Sequence, residues 1–202
     1  MPTPTLPTPA STMALPPPRL DRGATLYQAL NLRSSTREFA TTPLPAGVLS
    51  TLLWCACGVN RPETGGRTAP SAHNWREIAV YAALEQGLYR YDPAAHALHL
   101  VAAADLRALT GVQDFVATAP LNLVYVADFA KMADASDEDR VFLASADAAF
   151  MAQNVYLYCA NAGLATVVRG LVDRARLAPA MGLGPRERIV LAQTVGFPPR
   201  PD

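Results

Sequence analysis

The sequence predicts an α+β sandwich, and three observations carry that reading. An almost unbroken apolar run at 121–127, LNLVYVA, reads as a central strand covered on both faces. Residues 137–162 repeat apolar groups every three or four positions, the period of a long helix. Short strand-like segments at 77–83, 87–91 and 96–101 follow one another with only turns between them. Strands therefore do not alternate regularly with helices, which argues against a simple doubly wound sheet.

The elements follow in order. Residues 1–20 are rich in Pro and Thr and read as an extended or disordered arm outside the core. A single domain is expected over residues 21–200. Its first helix, 24–32, has apolar groups at helical spacing and is followed by a polar stretch through Arg37. The second is better marked: Pro45 suits its first turn, Val48, Leu49, Leu52, Leu53 and Ala56 form an inward stripe, and Gly58 closes it. Residues 60–73 read as a long polar loop of the kind that carries function. Gly87 and Asp92-Pro93 punctuate the three short strands. In the long helix, Val141, Ala144, Ala148, Met151, Val155, Tyr158 and Ala162 form one stripe, with small residues on other faces, and Gly163 stops it. Strand 164–168, helix 173–181 and strand 188–195 complete the domain.

Composition narrows the function classes. Half of the 202 residues are apolar and only 17% are charged, which fits a large core, a covered interface, or both. Acidic and basic residues balance at 17 each, with no basic run, so wholesale contact with nucleic-acid phosphates is not expected. Lys131 is the only lysine, and the remaining basic residues are Arg, whose rigid donor fork suits phosphates and carboxylates. Three cysteines, Cys55, Cys57 and Cys159, make no disulfide framework and read as buried thiols. No run of 18 apolar residues exists to span a membrane. The N-terminus lacks a basic segment followed by an apolar one, so a cytoplasmic location is expected, with the periplasm as the alternative for a processed chain.

Three stretches carry candidate chemistry. In Arg33-Ser34-Ser35-Thr36-Arg37, two guanidinium groups and three hydroxyls can surround a phosphate; the alternative is a solvated helix-to-loop junction. Residues 67–76, RTAPSAHNWR, place an amide, a hydroxyl and two cations directly before a strand. Asn74 there can donate and accept at once, as the polar edge of a heterocycle requires. Residues 163–170 run from a helix end through a strand to Arg169-Gly170, where glycine permits close backbone approach. His96 and His99 read as surface groups, and His73 is the histidine placed in a candidate loop. No metal-ligand spacing accompanies any of them.

In their order and spacing these pieces resemble the nitroreductase family, particularly the branch similar to SagB-type dehydrogenases. The resemblance covers roughly residues 25–198 and rests on LRSSTREF at 32–39, LLWCACGVNRP at 52–62, RTAPSAHN at 67–74, AQNVYLYCANAGLAT at 152–166 and VGFP at 195–198. It implies a three-layer sandwich with a central mixed, mainly antiparallel sheet flanked by helices, and a homodimer holding FMN at the subunit interface. By the same resemblance, Arg33, Ser34, Ser35 and Arg37 match the phosphate-binding motif, and Pro70 and Ser71 match a loop that brings donors to the flavin. Asn74 matches the family's common asparagine, and Arg76 stands near the isoalloxazine. Arg169 and Gly170 fall near the backbone that addresses flavin N5, and Asn154 is a candidate dimer-side contact. Arg200 is the sole basic residue after the last strand. The implied activity is transfer of electrons or hydride from NAD(P)H through FMN to a small organic acceptor, with no essential acid or nucleophile on the protein. The alternatives are an azoline-oxidising dehydrogenase acting on modified peptides and a non-catalytic flavin-binding protein.

Overall fold

The computed structural model describes residues 11–21 and 23–199. Strand β1 (Thr12–Ala14) comes first, then helices α1 (Leu26–Leu32) and α2 (Ala46–Cys57) and a small hairpin, β2 (Val59–Arg61) with β3 (Gly66–Arg67). Strands β4 (Ile78–Leu84), β5 (Gly87–Asp92) and β6 (Ala97–Ala102) follow, then β7 (Leu121–Asp128), α3 (Asp137–Ala162), β8 (Ala165–Arg169), α4 (Arg174–Ala180) and β9 (Glu187–Gly196). Seven strands form one sheet in the order β1-β6-β5-β4-β7-β9-β8.

The two-faced strands decide the layering. Along β4, Val80 and Ala82 face one core, and their neighbours Tyr81 and Ala83 face the other. Along β7, Leu121, Leu123, Tyr125 and Ala127 face the first core, whereas Val124 and Val126 face the second. These inner strands thus carry apolar residues on both faces, because period-two alternation sends successive side chains to two different cores. The first core is closed by Leu52 and Leu53 of α2 and by Ala148, Met151 and Val155 of α3; the second is closed by Leu177 of α4 and Met181 beside it. These are the three layers.

Helix α3 is delimited by its ends. Ser136 accepts a hydrogen bond from the Asp139 backbone N–H, and Asp137, Glu138 and Asp139 place negative charge in the first turn, where the helix dipole favours it. Gly163 terminates the helix at φ 67°, a left-handed conformation that a side chain disfavours. The inward stripe holds in the middle, but Val141 and Ala162, towards its two ends, are exposed.

Three expectations change. The N-terminal arm is in part ordered: β1 pairs with β6, and Leu15 is buried. This pairing satisfies the outer edge of β6, whose N–H and C=O groups would otherwise lack a neighbour; residues 1–10 lie outside the described residues. The 60–73 loop contains the β2–β3 hairpin, because Gly65, at φ 65°, permits a tight reversal. Every described pairing in the large sheet is antiparallel, so the expected mixed character is absent among the described residues. Short turns between β4, β5 and β6 leave no room for the crossover that parallel neighbours need. Among the described residues, no helix is long and apolar enough to cross a membrane.

Candidate functional site

The segment 33–37 leaves the end of α1, whose start is fixed by a capping box between Thr25 and Gln28. Its backbone is tied down: the Thr36 N–H donates to the Thr166 carbonyl at 3.0 Å. Tyr156 of α3 ties it a second time. Its hydroxyl is hydrogen-bonded to Ser35 Oγ at 2.8 Å and accepts the Val168 N–H at 2.9 Å. The Arg33 guanidinium lies 5.5 Å from the Tyr156 ring centroid, within cation–π range. Ser34 and Arg37 are exposed. Among the described residues, neither Arg33 nor Arg37 is in an ion pair. A rigid backbone therefore presents two unspent guanidinium groups and a serine hydroxyl, a donor set that fits a phosphate.

The segment 70–76 is built differently, on backbone strain and buried acid. His73, Asn74 and Arg76 all have positive φ (48°, 55° and 52°), a region that costs energy for residues with side chains. Two buried carboxylates hold it there. Asp147 of α3 accepts the Ala72 N–H at 2.8 Å, and Glu77 Oε2 accepts the Ser71 hydroxyl at 3.1 Å. Ser71 Oγ in turn accepts the Arg76 N–H at 2.8 Å. Burial pushes the Glu77 carboxyl up to about 7, and the adjacent Asp147 carboxylate adds to the rise. Arg76 Nε donates to Asn74 Oδ1 at 2.9 Å, which leaves the amide donors of Asn74 unspent on an exposed side chain. Trp75 packs on the main core and stacks with His73, their ring centroids 4.5 Å apart.

The other candidates separate. Arg169 turns its side chain inward, 5% exposed, donating to the Thr110 carbonyl at 2.7 Å, Thr194 Oγ1 at 3.1 Å and Asn122 Oδ1 at 3.1 Å. Burial lowers its pKa to about 10. Only its backbone remains for a ligand. Gly170 is exposed and a Cβ there would meet nothing within 4 Å, so packing in the protomer does not require glycine. Asn154 is spent internally, donating to the carbonyls of Cys55 at 3.1 Å and Thr68 at 3.4 Å, and so joins α2 and the hairpin to α3 rather than facing outward. Pro70 is exposed on the strained segment. Arg200 lies outside the described residues. The cysteines are free, and burial pushes Cys55 up to about 11 and Cys57 up to about 12. His96, expected on the surface, is partly buried and joins Ser50 Oγ and Tyr91 Oη, each at 2.8 Å.

The two cationic segments sit at different levels of α3. Asp147 supports one and Tyr156 the other, nine residues apart, or about 13.5 Å of helix rise. Sequence reasoning missed Tyr156, Glu77 and Asp147. Only the last carries a signal, as an acid inside an otherwise apolar and small helical stretch.

Both segments lie within a stretch that matches a known protein family. The pattern of the nitroreductase family matches residues 30–197, and the chain belongs to that family of oxidoreductases. A provisionally named nitroreductase of Methanocaldococcus jannaschii, MJ1384, is 31% identical over 160 residues, covering 72% of this chain and 78% of that protein. The crystal structure of a provisionally named nitroreductase from Ralstonia eutropha JMP134 is 49% identical, with a TM-score of 0.93 over 100% of this chain and 96% of its own. The fold is shared more distantly with the NADPH:FMN oxidoreductase of Vibrio harveyi complexed with NAD+. That protein is 18% identical, with a TM-score of 0.66, over 87% of this chain and 69% of its own.

Proposed function

We propose that the protein is an FMN-dependent oxidoreductase that draws electrons from NAD(P)H and delivers them to a small organic acceptor. The observation that carries this reading is the pinned segment 33–37, which offers Arg33 and Arg37 with no acidic partner of their own among the described residues. FMN, when bound, supplies the hydride-accepting ring, and the protein supplies position and charge. Arg33 and Arg37 hold the phosphate, with Ser34 and Ser35 as hydroxyl partners. Tyr156 keeps Ser35 in place. Asn74 directs its free amide donors at the ring edge, and Arg76 brings positive charge beside it, favouring negative charge on the reduced ring. Ser71 acts through the loop, because its hydroxyl is committed to Glu77 and to the Arg76 N–H. The Gly170 backbone is the remaining contact assigned to the ring.

Two copies of the chain complete the site in this reading. Helix α1 packs on α3, and around them Leu26 (61%), Tyr27 (83%) and Phe142 (68%) are exposed together with Leu30, Leu32 and Phe150. Such a collection of exposed apolar side chains suits a homodimer interface. Light scattering should give twice the chain mass; a stable flavin-loaded monomer would reject the interface site. The cofactor is tested by the visible spectrum of the purified protein and the mass of the released molecule. FMN is expected, and failure to take up flavin after incubation with FMN overturns the assignment. Repeated anaerobic bleaching by NADH or NADPH, with recovery on adding an acceptor, is the expected sign of turnover.

A further inference from the structure

Behind the 70–76 segment lies a second concentration of positive charge. A recess of about 60 Å³ is lined by Arg67, Arg76, Arg90 and Lys131 and by no carboxylate. Ile78, Ala79 and Val80 of β4 also line it. The other two ionisable lining groups are kept neutral: burial raises both the Cys57 thiol and the Tyr91 hydroxyl well above their ordinary ranges.

Nothing described neutralises these four cations one for one. None of them is in an ion pair among the described residues. Arg67 Nε is buried and has no hydrogen-bond partner, an orphaned donor of the kind native structures rarely leave. Lys131 Nζ donates to the Arg76 carbonyl at 2.9 Å, which leaves two of its three donors. The carboxylates acting on Lys131 are Asp128, whose Oδ1 accepts the Ala130 N–H, and Glu77, whose Oε2 accepts the Ser71 hydroxyl and whose Oε1 is buried without a partner; neither forms an ion pair with the ammonium among the described residues. Burial, with Arg90 and Arg67 adding to it, holds the Lys131 ammonium below its usual range.

We propose that this recess is an oxyanion site that takes a single phosphate group, separate from the segment 33–37. A volume of about 60 Å³ suits one tetrahedral oxyanion and is too small for a ring system. The guanidinium forks of Arg67, Arg76 and Arg90 line the recess together, and such forks match phosphate oxygens. The phosphate is either a free ion or the end of a larger substrate. The site shares Arg76 with the flavin reading, but Arg67, Arg90 and Lys131 have no part in that reading, and Arg33 and Arg37 have none in this one.

The test is calorimetric titration of the purified protein, in phosphate-free buffer of low ionic strength, with inorganic phosphate and separately with adenosine 2′-monophosphate. Wild type should bind at least one. Binding of both supports a site open to phosphate monoesters, and binding of inorganic phosphate alone supports a site for the free ion. Arg90→Gln and Lys131→Gln should each weaken that binding by roughly tenfold to a hundredfold, the scale of one lost charged contact. Arg90 is exposed and makes no ion pair among the described residues, so its variant should melt as wild type does and report binding alone. The Arg37→Gln variant should bind phosphate at the recess unchanged. The proposal is overturned if wild type binds neither probe, if Arg90→Gln and Lys131→Gln both bind like wild type, or if affinity follows Arg37 instead.

Discussion

Arg37 and Arg169 carry the same functional group, yet the fold gives them opposite work. Arg169 ends β8 with its guanidinium driven into the sheet, where three oxygens from Thr110, Asn122 and Thr194 receive it. Gly111 makes room for it, since a Cβ there would overlap the guanidinium. Arg37 lies on a segment whose backbone is secured by Thr166 and Tyr156, and its own side chain is exposed. The lesson is that a candidate binding cation is recognised by what it leaves unspent. A guanidinium whose donors are consumed internally is part of the frame, and one held near a rigid backbone without an acidic partner is available to a ligand.

The largest effect expected from breaking this contrast is at Arg169. Arg169→Met keeps bulk but leaves Asn122 Oδ1, the Thr110 carbonyl and Thr194 without their charged donor. Urea unfolding should show a loss of about 3 kcal/mol, the scale for stranding buried polar groups. A loss below about 1 kcal/mol would mean that the neighbours re-pair and that Arg169 is not a structural centre.

Arg37→Ala should leave the unfolding of the flavin-free protein unchanged and act on binding. Loss of one charged contact, about 1.5–3 kcal/mol, corresponds to a roughly tenfold to hundredfold weaker affinity for FMN. Riboflavin, which has no phosphate, should bind both proteins alike. An unchanged preference for FMN over riboflavin removes Arg37 from the phosphate site.

Tyr156→Phe tests the link between frame and site. It strips one hydroxyl from both the Val168 N–H and Ser35 Oγ, at a cost of about 1–2 kcal/mol in stability. FMN affinity should fall as well, because segment 33–37 loses one of its two ties. If stability falls while FMN affinity is unchanged, the backbone bond from Thr36 is sufficient by itself.

The last test is a pH slope from Glu77. Its folded-state carboxyl titrates near 7 against an ordinary value of 4.5, so the folded state binds the proton more tightly than the unfolded chain. Its contribution to stability is complete below pH 4.5 and is lost as pH rises through 7. Asp147 adds to the rise, while the positive charge of Lys131 lies nearby as well. Glu77→Gln should flatten the decline of the melting temperature between pH 5 and 8, and an unchanged slope would assign that decline to other groups.

Much of this architecture can be read along the chain. Helix α3 carries both its boundaries in sequence, in an acidic first turn and a closing glycine. The short strands announce themselves by Gly87 and Asp92-Pro93, and β7 by its apolar run. The positions of Arg33 and Arg37 are likewise legible as a pair of donors at a helix end. Local rules suffice for these because caps, turns and periodicity act over three or four residues.

The fates of individual polar side chains are set by partners far away in sequence. Asn154 reads as an outward contact, but its amide is claimed by carbonyls 99 and 86 residues distant. Arg169 meets Thr110 across 59 residues and Asn122 across 47. The ordered part of the N-terminal arm joins the sheet because the edge of β6 offers it hydrogen bonds, which no feature of a Pro-rich stretch foretells. Segment 70–76 keeps three side-chain-bearing residues at positive φ because Asp147, on a helix 75 residues away from Ala72, accepts its backbone. The sequence by itself determined where the helices and inner strands run, since those depend on neighbouring residues. Tertiary structure alone decided which charges are buried and satisfied and which stay free, because each buried charge must find its partner wherever the fold happens to bring one.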